Sequence, residues 1–207
     1  MNLLGYARLA KAAYDSTPSF GDRSSAARAI LGHTDDGVVI SIPGTNNIAC
    51  DLADLDIDVD QVNGLGGLHC GFNDVANDLF DYVLKVSPDV LTAHSMGAAA
   101  ALILAGKLCL SGKPPKAVYA FEPPRLTTDT ILAQLLKAHN VKLTLTHKGH
   151  DVVPMVPRLL HDWQHPGQLT RIGTSIHPFP NIEDHMIDSV IEALTPIEHF
   201  SLGGVRG

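Results

Sequence analysis

The run from Val90 to Ala105 constrains the fold more than any other part of the chain. Residues 90–94 are mostly apolar and rich in strand formers, and Ser95 follows them between small residues. Residues 96–106 are then an uncharged run of helix formers. This order predicts a buried strand, a sharp turn and a buried helix. Such a turn needs small neighbours because backbone segments approach one another closely there. Ser95 is therefore a candidate nucleophile.

Composition limits the classes of protein to which the chain can belong. The 207 residues are 45% hydrophobic and 18% charged, which is typical of a folded globular domain with a sizeable core. No linker divides the sequence, so we expect a single domain over residues 1–207. The formal charge of −7 argues against a nucleic-acid partner, because phosphate binding needs a basic surface.

Cysteine usage and the apolar runs give an expectation about location. The odd set of Cys50, Cys70 and Cys109 does not predict a disulfide framework. Residues 1–14 lack a continuous apolar segment and a small-residue cleavage site. The longest apolar run is shorter than the ~20 residues that span a bilayer. We therefore expect no transmembrane segment, and a location in the cytoplasm or release without a recognisable signal peptide.

The order of the predicted elements indicates the fold class. An amphipathic helix over residues 3–14 precedes a hairpin whose turn contains Asp36-Gly37. After the hairpin, strands alternate with helices, which predicts an α/β fold with a mostly parallel central sheet and helices on both faces. The predicted strands are 38–42, 90–94, 117–121, 141–146 and 169–172. The predicted helices after the first are 72–86, the run after Ser95, a helix around 131–136 that Thr128 caps, and 184–194.

Two patterns raise the question of a metal site. Carboxylates alternate with aliphatic residues over 54–60, but the segment lacks the glycine and the final glutamate of an EF-hand loop. The default interpretation of this alternation is a strand whose carboxylate face is exposed to solvent. His161 and His165 are four residues apart, as zinc ligands on a helix are, but Pro166 disfavours a helix there. We expect no metal and no cofactor.

A serine nucleophile needs a histidine to take its proton and an acid to orient that histidine. In parallel sheets of this kind the partners follow in the order serine, acid, histidine, on loops after later strands. Asp151 follows the strand 141–146, and His185 lies where the final helix begins. These two are the predicted acid and base. The weaker candidates are Glu122 and Asp162 for the acid, and His165, His177 and His199 for the base.

Five separate segments resemble the class 3 lipase family, the fungal-lipase-like α/β-hydrolases. They are Ile40–Thr45, Leu68–Phe72, the turn segment Leu91–Gly97, Tyr119–Arg125 and Lys148–Pro154. Each motif is weak alone, but the five occur in the order of the family and cover about residues 5–195. The resemblance implies an α/β-hydrolase fold.

The resemblance also implies a function and a site. It implies a serine hydrolase that cleaves carboxylic esters, as a lipase or esterase, through an acyl-enzyme. Ser95 would be the nucleophile, Asp151 the acid and His185 the base, and the backbone N–H groups of Thr45 and Met96 would form the oxyanion hole. The partner would be a small-molecule ester or lipid. The alternatives are a phospholipase A1 or an acyltransferase with the same triad, or a non-catalytic binding module on this fold.

Some positions depart from the family pattern. Pro43 replaces an arginine, and Ala93 and Glu122 each replace a glycine. Residues 46–51, where fungal members carry an amphipathic lid, are short and polar. This predicts an open or weakly covered site, which favours an esterase acting on soluble or dispersed esters. The apolar residues of 152–163 either line an acyl pocket or pack as ordinary core.

Overall fold

A computed structural model describes residues 1–45, 58–157, 162–175 and 177–196, and its elements follow the predicted alternation. The strands are β1 (Ile30–Thr34), β2 (Gly37–Ile42), β3 (Val59–Val62), β4 (Gly66–His69), β5 (Val90–His94), β6 (Ala117–Phe121), β7 (Lys142–Lys148) and β8 (Leu169–Ile172). The helices are α1 (Leu3–Asp15), α2 (Cys70–Val86), α3 (Met96–Leu110), α4 (Ile131–Ala138) and α5 (Ile187–Leu194).

The main sheet has six strands in the order β1-β2-β5-β6-β7-β8. Strand β1 pairs with β2 in antiparallel fashion through the predicted hairpin, and all other pairs are parallel. Successive side chains on a strand point to opposite faces, so the sheet has a core on each side. On β5, Leu91 and Ala93 join the core of α2, α3 and α4, whereas Val90 joins the core of α1 and α5. The mostly parallel α/β sheet predicted from the sequence is confirmed.

Helix α3 lies at the centre of the larger core. Twelve of its fifteen residues are buried, which explains why apolar residues surround the whole helix and form no stripe. Its alanines and glycines allow close packing against α2 and the sheet. The segment that most constrains the fold is thus almost entirely buried.

One local expectation needs correction, and another lies largely outside the described residues. The predicted strand over 54–60 lies partly outside the described residues, and its described end begins β3, which pairs with β4 in a separate two-stranded sheet. The proposed cap at Thr128 is wrong. The carboxylate of Asp129 accepts the Ile131 N–H at 2.8 Å and the Gly67 N–H at 2.7 Å. Asp129, two residues before α4, thus supplies the side-chain acceptor for the first N–H of the helix and ties it to β4.

The parallel strands bring the candidate residues to one edge of the sheet. Ser95 follows β5, Glu122 follows β6, and the loop with Asp151 follows β7. The last helix begins at Ile187, later than predicted, because Glu183–His185 forms a separate 3₁₀ turn. That turn carries His185 to the same edge, where parallel sheets of this kind hold their sites.

Candidate active site

Ser95 lies in a strained turn between β5 and α3. Its backbone has φ 58° and ψ −131°, a conformation that non-glycine residues rarely adopt. The Ser95 N–H donates to the Phe121 carbonyl at 2.9 Å, which fixes the turn to the end of β6. The geometry directs the hydroxyl away from the helix and towards the edge of the sheet, as in a nucleophile elbow.

The structure brings the three predicted residues of the triad together. Ser95 Oγ lies 2.8 Å from His185 Nε2, and His185 Nδ1 lies 2.7 Å from Asp151 Oδ2. Because a carboxylate accepts, Nδ1–H donates to Asp151 and Nε2 is left as the acceptor for the serine proton. This is the tautomer that a general base needs.

All three side chains of the triad are buried. Burial alone would raise the pKa of Asp151, but the hydrogen bond from His185 and other nearby donors outweigh it and lower the pKa below the usual value. The Val153 N–H also donates to Asp151 Oδ1 at 2.9 Å. Asp151 therefore stays ionised and can stabilise a positively charged His185.

His94, the residue before the candidate nucleophile, links the base to the first helix. Its Nε2 lies 2.7 Å from the His185 carbonyl, and its Nδ1 lies 2.7 Å from the Tyr14 hydroxyl. The Gly44 N–H donates to that hydroxyl at 2.7 Å, so the hydroxyl proton goes to His94. Burial, and then the proximity of His185, lower the pKa of His94 to about 3. His94 is thus a neutral structural bridge and does not contact Ser95 as a base.

The loop after β2, which carries Thr45, is fixed against the elbow. The guanidinium of Arg28 is buried and lies 3.4 Å from the Gly44 carbonyl. A Cβ on Gly44 would lie 2.7 Å from the Ser95 Cβ, so only glycine fits between the loop and the nucleophile. Thr45 follows Gly44 directly in this loop. The Met96 N–H heads α3, where no preceding carbonyl of the helix is available to accept it.

The 3₁₀ turn that carries His185 is anchored through its neighbour Asp184. Asp184 Oδ1 accepts from Lys148 Nζ at 2.8 Å, and Oδ2 accepts from the His150 N–H and from Asn181 Nδ2. Burial opposes ionisation of Asp184, but these donors outweigh it and hold its pKa far below the usual value. The ion pair fixes the base-bearing turn to the end of β7.

The competing candidates do not reach Ser95. His177 Nε2 contacts Glu183 at 2.6 Å, and His165 Nε2 contacts the Pro154 carbonyl at 3.0 Å. His161, His199 and most of the carboxylate-rich segment 54–60 lie outside the described residues. In the described part of the chain, two groups present several possible metal ligands: Asp60, Cys70 and Asp74 form one, and Glu122, Asp151 and His185 form the other. Both nitrogens of His185 already contact Asp151 and Ser95.

Three supporting residues were missed from the sequence: Tyr14, Arg28 and Asp184. Tyr14 contacts His94, which is 80 residues away along the chain, and Arg28 contacts Gly44, which is 16 residues away. Asp184 contacts Lys148, which is 36 residues away. Local periodicity carries no signal of such pairs. The sequence offered one chemical signal: Asp184 directly precedes the candidate base His185, and a charged residue in that place is typical of a group that orients the base.

Replacement of Gly97 by alanine should destabilise the protein strongly. A Cβ there would lie 2.2 Å from the Pro43 carbonyl oxygen, which is backbone and cannot move aside cheaply. We expect Gly97→Ala to lower the free energy of unfolding by about 3 kcal/mol. Gly71 is a matched control, since it is also the second residue of a helix and has no atom closer than 3.7 Å. Gly71→Ala should cost nothing or stabilise by about 0.5 kcal/mol. Equal urea midpoints for the two variants would contradict the close contact.

Comparison with models of protein families shows to which family the chain belongs. The model for "Lipase (class 3)" matches residues 39–161, more than half of the chain. The chain belongs to the class 3 lipase family. The family resemblance found in the sequence is therefore confirmed, and the matched region contains both Ser95 and Asp151.

Solved structures of fungal lipases are similar in fold to this chain. The lipase from Rhizopus microsporus var. chinensis matches with a TM-score of 0.76 at 19% identity, over 88% of this chain and 84% of the other. The Rhizomucor miehei lipase–propeptide complex matches with a TM-score of 0.67 at 21% identity, over 82% and 67% of the two chains. At these identities the likeness shows the α/β-hydrolase fold alone.

A curated relative corrects the expected location of this class 3 family member. A secreted mono- and diacylglycerol lipase of Malassezia globosa is 28% identical over 169 residues, which are 70% of this chain and 55% of the relative. The chain thus spans about half the length of that relative. Because the relative is secreted, the expectation of a cytoplasmic location or signal-independent release is wrong. That expectation rested on cysteine usage, on the apolar runs and on residues 1–14, most of which lie in the packed helix α1. None of the described helices is long and apolar enough to cross a membrane.

Proposed function

We propose that this chain is a serine hydrolase that cleaves carboxylic esters through an acyl-enzyme. The observation that carries the proposal is the continuous series of hydrogen bonds from Ser95 Oγ through His185 to Asp151, at 2.8 and 2.7 Å. The strained elbow and the buried acid support the same chemistry. We propose further that residues 1–207 act as one catalytic domain.

In the first half of the reaction, Ser95 Oγ attacks the ester carbonyl carbon while His185 Nε2 takes its proton. The carbonyl oxygen becomes an oxyanion, which the N–H groups of Thr45 and Met96 stabilise. Asp151 stabilises the imidazolium that forms. His185 then protonates the leaving alcohol as the tetrahedral intermediate collapses, and the acyl group remains on Ser95.

In the second half, a water molecule replaces the alcohol. His185 Nε2 takes a proton from this water as it attacks the acyl carbonyl, and the same oxyanion donors act again. The proton returns to Ser95 as the carboxylic acid leaves. The two halves use the same atoms, so the geometry around His185 controls both rates.

We propose acylglycerols with one or two acyl chains as the substrate class. The name of the secreted Malassezia relative, a mono- and diacylglycerol lipase, supports this choice. The segment where fungal members carry a lid, residues 46–51, lies outside the described residues, and so do Leu159 and Leu160 of the proposed acyl pocket. Of the rest of that loop, Val153 and Trp163 are buried and Met155 is exposed. Met155 is therefore the candidate for contact with an acyl chain.

A series of p-nitrophenyl esters of rising acyl length tests both the activity and the open site. We expect saturable hydrolysis of soluble short esters below their solubility limits, and loss of that activity in His185→Ala. Hydrolysis of no ester in the series would contradict the proposed function. A rate that rises sharply only above the solubility limit would contradict the open site while leaving ester hydrolysis intact.

A further inference from the structure

Glu122 is a buried carboxyl group beside the proposed triad that the mechanism above does not use. It is fully buried, and one of its oxygens lies within 4.8 Å of ligand atoms of both Asp151 and His185. Its backbone has φ 52°, a conformation that glycine adopts without strain and other residues rarely adopt. A long acidic side chain is therefore held in an unfavourable backbone position, directly against the acid of the triad.

The two oxygens of Glu122 have different surroundings. Oε1 accepts the Lys148 N–H at 2.5 Å. Among the described residues no donor reaches Oε2, although that atom is buried. An ionised carboxylate would thus place an unsatisfied charge beside the charge of Asp151, which is costly in a buried site. A protonated carboxyl has no such difficulty, because its O–H is itself a donor and the Asp151 carboxylate, an acceptor, has an oxygen within 4.8 Å.

We propose that Glu122 is a positioning residue that stays protonated and donates a hydrogen bond to Asp151, which orients that carboxylate towards His185. The inference rests on the proposed function, because it assigns the role of Glu122 within the same site. Burial, and then the adjacent Asp151, raise the pKa of Glu122 well above its usual value, in agreement with this assignment.

The neighbouring charged groups favour a single negative charge on the pair Glu122 and Asp151. In the described part of the chain, Asp151 and His185 lie beside Glu122, Asp184 is a further nearby charge, and Lys148 contacts Glu122 through its backbone N–H. The ammonium group of Lys148 is paired with Asp184 at 2.8 Å, so it does not neutralise a second carboxylate beside Asp151. A second negative charge would favour the protonated form of His185, which cannot accept the Ser95 proton. A neutral Glu122 avoids this effect.

Infrared spectroscopy tests the proton on Glu122 without any need for activity. At pH 7 the wild type should show the carbonyl stretch of a protonated carboxylic acid, and Glu122→Gln should lack it. Asp78→Asn is the control, because it removes an exposed carboxylate from α2 and should leave the band unchanged. If the band persists in Glu122→Gln, Glu122 is ionised and the proposal is overturned. This measurement gives its answer even if the chain hydrolyses no ester, so the two proposals can fail separately.

Kinetics test the positioning role. Glu122→Met keeps the length of the side chain but has no donor, and we expect a loss of about 10- to 100-fold in kcat with little change in KM. Glu122→Gln keeps an N–H donor towards Asp151 and should lose less than about 5-fold. The acid limb of the pH profile of kcat/KM should have the same midpoint in Glu122→Gln as in the wild type, because a neutral group replaces a neutral group. If Glu122 were ionised in the wild type, the substitution would lower that midpoint by about one pH unit. Equal kcat values for the Met and Gln variants, or that shift, would overturn the proposal.

Discussion

Ser95→Ala should lose about 10⁴- to 10⁶-fold in kcat on a short p-nitrophenyl ester. The hydroxyl is the only group at the elbow that can carry the acyl chain, and it lies 2.8 Å from the base. Alanine should fold normally because the methyl group is smaller than the side chain it replaces. The measurement is the initial rate with saturating ester, with stability checked by thermal unfolding.

Ser111→Ala is the matched control for that variant. Ser111 is exposed at the opposite end of the same helix, α3, and its hydroxyl donates to the Lys107 carbonyl. Its removal should leave kcat unchanged. A Ser95→Ala protein that keeps more than about a hundredth of the wild-type rate would contradict the assignment of the nucleophile.

Asp151→Asn should have the second largest effect, a loss of about 10⁴-fold in kcat. An amide in this position can donate to His185 Nδ1, which stabilises the tautomer with its proton on Nε2. That tautomer cannot accept the Ser95 proton. The amide also supplies no charge to stabilise the imidazolium. The loss should therefore appear in kcat, while KM changes little.

Asp162→Asn tests which of the two candidate acids in this loop, Asp151 or Asp162, acts on His185. Asp162 is exposed and lies outside the hydrogen-bonded series of Ser95, His185 and Asp151. We expect wild-type kinetics from this variant. If Asp162→Asn were the slower of the two, or if Asp151→Asn lost less than about 10-fold, Asp151 would not be the acid.

The part of the fold that sequence predicts best is the part set by local patterns. The strand β5, the turn at Ser95 and the helix α3 follow from an apolar run, small residues and an uncharged helical run. The order of the later elements then selected Asp151 and His185. These signals are local or depend on chain order, so one sequence is enough to read them.

Contacts between distant residues could not be predicted in this way. The link from Tyr14 to His94 and the ion pair of Asp184 with Lys148 depend on how α1, β7 and the 3₁₀ turn pack together. Glu122 illustrates the same limit. The sequence presented it as an alternative acid, whereas its burial next to Asp151 is a property of the sheet edge and points to a neutral partner.

Covalent labelling by a fluorophosphonate tests the central assignment most directly, since this reagent reacts with an activated serine hydroxyl. Intact mass should show one adduct per chain, and peptide mapping should place it on Ser95. Ser95→Ala should not be labelled, and His185→Ala should be labelled much more slowly. An adduct on another serine, or no adduct on the folded wild-type protein, would contradict the assignment of Ser95 as the nucleophile.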